Sequence, residues 1–153
     1  TAKLGLIATP AEFVARGLAA CGERRVTETN HRLVDWYMAD MAQELFNPPN
    51  VAGWKQNAYW LSTSELGARG NALRQIFDLP ASQTKFADLE GASVDAAITE
   101  AARRLGIVSL QAQTRSNLTS WLTSERARSG SSSAFRSSSL MHLLLMSPDL
   151  QLS

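Results

Sequence analysis

The stretch SVDAAITEAARRLG, Ser93–Gly106, decides the fold class. Val94, Ala97, Ile98, Ala101, Ala102 and Leu105 recur at three- and four-residue spacings, which puts them on one face of an α-helix. Ser93 stands where an N-cap hydroxyl would accept a first-turn N–H, and Gly106 stands where left-handed backbone closes a helix. Glu100 lies one turn before Arg104 and can pair with it. No part of the chain alternates apolar and polar residues in the manner of a half-buried strand. The expected fold is all-α.

C-terminal to this helix, Leu110 to Arg126 repeats the helical pattern, with Leu118, Trp121 and Leu122 inward. Residues 129–139 hold seven serines and one glycine, a composition that predicts a flexible loop. A last, mostly apolar helix then runs from Leu140 to Met146 and is ended by Ser147-Pro148. Toward the N-terminus, Ala81 to Ala92 is polar and reads as irregular. Ser62-Thr63-Ser64-Glu65 is a capping box that starts a helix to about Phe77. Its Leu66, Gly70, Leu73 and Phe77 align, and Gly67 and Gly70 suit a close approach by another helix. Thr9-Pro10-Ala11-Glu12 is another helix start, followed by Phe13, Val14, Gly17, Leu18 and Cys21 on one face. A second helix is predicted from Asn30 to Leu45, with Asn47-Pro48-Pro49 as its stop. The whole chain, 1–153, reads as one domain: an irregular bundle of about six helices with a long Pro/Trp-rich loop between the second and third.

That loop, FNPPNVAGWKQNAYW from Phe46 to Trp60, has two physical readings. Its aromatic residues can fold back as a plug over the core, since each buried ring removes about 150–250 Å² from water. Alternatively, Trp54, Tyr59 and Trp60 form a binding platform, with Asn47, Asn57 or Arg69 supplying polar contacts. Tryptophans left in solvent would be a liability, so the plug is the preferred reading for Trp54 and Trp60. The binding candidates, should the platform form instead, are Trp54, Trp60, Tyr59, Asn47 and Arg69.

Composition narrows the chemistry. The 153 residues carry a net charge of +1, with 44% hydrophobic and 19% charged residues. That balance is globular, and it gives neither a basic stripe for nucleic acid nor an anionic-membrane affinity. No apolar run has the length of a transmembrane segment. Arginine outnumbers lysine 12 to 3. The single cysteine, Cys21, lies on an apolar helix face and reads as a buried thiol. His31 and Asp35, one turn apart, read as a surface ion pair, and His142 as a satisfied core histidine. Asp35, Asp40 and Glu44 read as a solvated helix face, although Asp40 and Glu44 have the one-turn spacing that a glycosidase-like pair could use. No His, Cys or carboxylate grouping has metal-ligand spacing, and there is no nucleophile elbow or phosphate loop. No catalytic residue, metal or cofactor is expected.

The residues also carry a resemblance. Leu45-Phe46-x-Pro48-Pro49-x-Val51-x-Gly53-Trp54, then Trp60, then Arg69-x-Asn71, resembles the signature of the bacterial domain-of-unknown-function 1800 family. The ending Leu143 to Gln151 is similar to that family's closing motif, and Thr9-Pro10-x-Glu12-Phe13-Val14 fits the segment before the signature. This chain departs from the family at Lys55, where proline is common, and at Asp149-Leu150, where Glu-Phe is common. The resemblance implies a largely helical protein and the C-terminal part of a longer precursor, often exported to the periplasm or beyond. No activity comes with it. The expected function is a non-catalytic binding or structural module whose partner is the remainder of its precursor or another exported protein. Part of a secreted hydrolase and a processed subunit of an extracellular assembly are the alternatives, and oligomeric state is not legible.

Overall fold

A computed structural model describes residues 7–22, 28–44, 46–54, 60, 62–78 and 80–151. Among these residues the helices are α1 (Pro10–Ala20), α2 (Glu28–Asp40), α3 (Thr63–Phe77), α4 (Pro80–Phe86), α5 (Asp88–Gly91), α6 (Val94–Arg104), α7 (Ala112–Ala127), α8 (Ser133–Leu145) and α9 (Pro148–Gln151). The fold is all-α, and no strand occurs among the described residues. None of these helices is long and apolar enough to cross a membrane.

The expected capping chemistry is present at Thr9 and Ser93 and by half at Ser62, where Glu65 does not complete the box: its Oε2 has no hydrogen-bond partner among the described residues. Thr9 and Glu12 form a reciprocal capping box at α1. Ser62 and Ser93 accept the N–H groups of Glu65 and Ala96 at 3.3 and 3.2 Å. At the end of α6, Gly106 takes φ +74°. The Ile107 N–H then reaches the Ala102 carbonyl at 2.9 Å, and the Gly106 N–H reaches that of Arg103 at 3.0 Å. These paired bonds satisfy carbonyls that the helix end would otherwise leave open.

Helix α8 is the centre of the bundle and packs against α3, α4, α6 and α7. Leu140, Met141, Leu144 and Leu145 on it are fully buried. Here the structure corrects the expected serine-rich loop over 129–139: α8 begins at Ser133, two turns before Leu140. The Ser132 hydroxyl caps it by accepting from the Phe135 N–H at 3.1 Å. Ser137 and Ser138 are buried, and Ser138 Oγ donates back to the Phe135 carbonyl at 3.3 Å. A hydroxyl that satisfies itself on the preceding turn can be buried in a helix, so small polar residues become packing residues. The expected irregular stretch Ala81–Ala92 is likewise corrected to α4 and α5. Phe86 drives that local order, meeting Phe77 edge-on with centroids 5.4 Å apart.

The expected close approach at Gly67 and Gly70 is also displaced. A Cβ at Gly67 would meet nothing, and one at Gly70 would meet only ordinary contacts at 3.9 Å. The tight crossing is between α1 and α3 at Gly17, where a Cβ would fall 2.4 Å from Leu73 Cδ2. Leu73 is fully buried, so its side chain has little room to move. Gly17→Ala should therefore destabilise the fold by about 1–3 kcal/mol despite the helix propensity of alanine. Urea denaturation measures this, and a stabilised variant would show that Leu73 repacks.

Arginines hold the ends of short helices. Arg126 donates to the carbonyls of Leu89, Glu90 and Ala92, where α5 ends. Arg104 donates to the Lys85 carbonyl and the Asp88 carboxylate, and also to Glu100 Oε1 at 3.0 Å. The planar guanidinium suits several acceptors at once in a way that a lysine ammonium does not. Glu100 accepts from Arg103 and Arg104, whose hydrogen bonds lower its pKa from 4.5 to about 2. A carboxylate with a depressed folded pKa adds stability that is present above its unfolded value and lost as pH falls through the folded one. Glu100→Gln should therefore flatten the acid denaturation profile between pH 4.5 and about 2. An unchanged profile would deny Glu100 that role.

Candidate functional site

The Pro/Trp-rich loop starts earlier than the prolines require. Helix α2 ends at Asp40, whereas the sequence pattern carried it to Leu45. Ala42 takes φ +58°, a left-handed conformation that L-residues adopt at a cost. The Gln43 N–H bonds the Met38 carbonyl at 2.8 Å, and the Ala42 N–H bonds that of Ala39 at 2.9 Å. This closure turns the buried Gln43 side chain toward α1, where its Oε1 accepts the Ala11 N–H at 2.9 Å. One otherwise open donor at the start of α1 is thereby satisfied. The closure also takes Glu44 off the helix, so Asp40 and Glu44 lose the one-turn spacing of a carboxylate pair.

Beyond Gln43 the loop is built from short-range bonds. Asn47 donates from Nδ2 to Glu44 Oε2 at 2.9 Å. Asn50 Oδ1 accepts the Ala52 N–H at 2.9 Å, and the Asn50 carbonyl accepts the Gly53 N–H at 3.0 Å. Gly53 supplies the positive φ, +85°, that ends the turn. Asn47, Pro48, Pro49 and Trp54 line a shallow groove with Ala39 and Ala42. Two of the sequence candidates, Asn47 and Trp54, are thus brought together.

The remaining candidates separate. Tyr59 lies outside the described residues. Trp60 is 2% exposed, and Arg69 is fully buried, so neither presents surface to a ligand. For Trp60 this agrees with the plug reading rather than the platform, and Arg69, offered as a polar contact for a ligand, is instead packed inside the bundle. Arg69 donates to Gln151 Oε1 at 2.6 Å and to the Ala8 carbonyl at 2.7 Å, and its guanidinium lies 5.0 Å from the Phe13 ring centroid. Burial lowers its pKa, and the neighbouring Glu65 charge opposes that shift.

Sequence reasoning missed Phe46 and Val51 as exposed residues. Phe46 is 94% exposed, and it sits at φ +65°. Val51 is fully exposed, and Trp36 on α2 is more than half exposed. The signal was available: an aromatic residue directly before Asn-Pro-Pro belongs to no apolar periodicity.

The closing motif has a structural explanation. Asp149 Oδ1 accepts the Gln111 N–H at 2.7 Å, and Oδ2 accepts the Thr114 hydroxyl at 2.6 Å. Gln111 is the N-cap of α7, and its own side chain makes no capping bond, so the carboxylate on α9 caps α7 from outside. Leu150 and Gln151 are buried behind it.

Among the described residues no group of three His, Cys, Asp or Glu side chains is arranged to hold a metal ion. No curated protein and no solved structure matches the chain. A family model described as a protein of unknown function, DUF1800, matches residues 2–152. With that span matched, the chain belongs to the DUF1800 family.

Proposed function

We propose that this helical bundle is a non-catalytic docking module, and that the Phe46–Trp54 loop packs against another polypeptide surface. The observation that supports this most is Phe46. A bulky residue in left-handed backbone stores strain of about 1–3 kcal/mol, and an exposed ring returns no burial to offset it. Strain without a folding return fits a residue whose packing partner lies outside the bundle. Val51 and Trp36 add exposed apolar surface from the same part of the chain. The resemblance to exported proteins supports the remainder of a longer precursor, or another exported protein of the periplasm or cell surface, as that partner.

Phe46→Gly tests the reading through two opposed effects. Glycine relieves the left-handed strain, so the isolated bundle should gain about 0.5–1 kcal/mol. In the intact precursor, amide exchange over 46–54 should be slowed relative to the isolated bundle, and the same substitution should remove that protection. If the loop exchanges equally fast in both contexts, and cross-linking from position 51 captures no exported protein, the docking reading fails.

A further inference from the structure

A second concavity lies away from the loop, between α3, α7 and α8. Trp121 and the half-exposed Phe135 stand on its walls, the fully buried Phe77 lies beneath, and Arg74, Asp78, Ser139 and His142 supply the polar groups. Its volume is about 290 Å³. That is at the lower end of ordinary ligand sites, which run from about 300 to 1,000 Å³, and suits a single ring better than a large cofactor.

The polar groups define what such a ring must carry. His142 Nε2 lies 3.0 Å from the Gly70 carbonyl. A carbonyl only accepts, so Nε2 carries the proton and Nδ1 is the acceptor of the neutral ring. Burial lowers the His142 pKa, which keeps the ring neutral. Asp78 adds carboxylate acceptors, of which Oδ1 already takes the Ser138 hydroxyl at 3.4 Å, while Arg74 and Ser139 add donors. Arg74 Nε and Asp78 Oδ2 are 3.7 Å apart, so their charges largely cancel at the pocket mouth. An anionic ligand would meet Asp78, and a cationic one would meet Arg74. The fitting ligand is neutral, offers both donors and acceptors, and has an apolar face for aromatic walls.

We propose that this pocket binds a neutral polyhydroxylated ring, the size of one sugar residue, against the aromatic walls that Trp121 and Phe135 provide. A pyranose has that combination: C–H faces that pack on aromatic rings, and hydroxyls that both donate and accept. A nucleotide shares the flat ring but brings phosphate to a mouth where Asp78 offsets the arginine. The site is separate from the Phe46–Trp54 loop, and its test does not depend on the docking reading.

The test is an NMR titration of the whole chain with cellobiose, maltose and N,N′-diacetylchitobiose, alongside adenosine and 1,2-propanediol. At least one saccharide should give saturable shifts of the Trp121 indole and His142 ring signals, with a Kd of about 0.1–10 mM, ordinary for one ring held by few polar groups. Trp121→Ala and Asp78→Asn should each weaken binding about tenfold. Asp78 is exposed and Asn keeps its shape, so that variant remains informative if Trp121→Ala unfolds. The proposal is overturned if no saccharide saturates, if adenosine or the diol binds as tightly as the best saccharide, or if Asp78→Asn leaves the saccharide affinity unchanged.

Discussion

Arg69→Met should destabilise the fold by about 3–5 kcal/mol, the loss usual when one member of a buried charged network is removed. The size comes from what is left behind. The Ala8 carbonyl and Gln151 Oε1 both accept from this guanidinium. Each buried oxygen left without a donor costs about 1–3 kcal/mol. Arg69→Lys should recover little of this, because one ammonium on a flexible stem does not reproduce two donors in a fixed fork. The orphaned-acceptor explanation is separable from simple loss of packing. If it holds, Arg69→Met combined with Gln151→Met should cost less than the sum of the single changes by at least about 1 kcal/mol. Strict additivity in urea unfolding would leave packing on Phe13 as the main contribution of Arg69. A single-variant loss below about 1 kcal/mol would mean that the burial penalty of the charge cancels its bonds.

Arg69 also marks the boundary of what the sequence could say. Its acceptors lie 82 and 61 residues away along the chain. A pattern read over one or two turns has no access to them. Asp149 capping α7 and Gln43 capping α1 are hidden for the same reason, since each cap comes from an element remote in sequence. Local chemistry was legible. The caps at Thr9, Ser62 and Ser93 and the closure at Gly106 each depend on residues within a turn of one another. The failures over 129–139 and 81–92 have different causes: over 81–92 the order comes from Phe86 meeting Phe77 on α3, a contact that composition does not report, and over 129–139 it comes from buried serines. Serine in a loop and serine in a helix interface differ only in whether a neighbouring element covers them, and composition does not report that cover. The candidate site was legible as a segment but not by residue. Trp54 and Asn47 line the groove, whereas the exposed ring that best supports docking is Phe46.

Trp60 and Trp54 look alike in the sequence and should behave oppositely on substitution. Trp60 is 2% exposed just ahead of α3. Trp60→Ala removes the largest side chain there is and leaves a cavity that the bundle closes only in part. The expected loss is about 3–5 kcal/mol. Trp54 is only partly buried, and its indole Nε1 has no acceptor among the described residues. Its ring therefore contributes some burial while its N–H subtracts from it, because a desolvated donor without a partner is costly. Trp54→Phe keeps a ring and deletes that donor, so stability should change by less than about 0.5 kcal/mol or rise. Trp54→Ala should cost about 1 kcal/mol, from the lost burial alone. Guanidinium unfolding of the three variants decides between the two readings of the segment. A large loss at position 60 with a small one at 54 makes the loop a plug at its C-terminal end and open surface nearer Phe46. Equal large losses would make both tryptophans core residues and leave docking to Phe46 and Val51. A loss below about 1 kcal/mol for Trp60→Ala would mean that its burial contributes little to the fold, and would count against the plug.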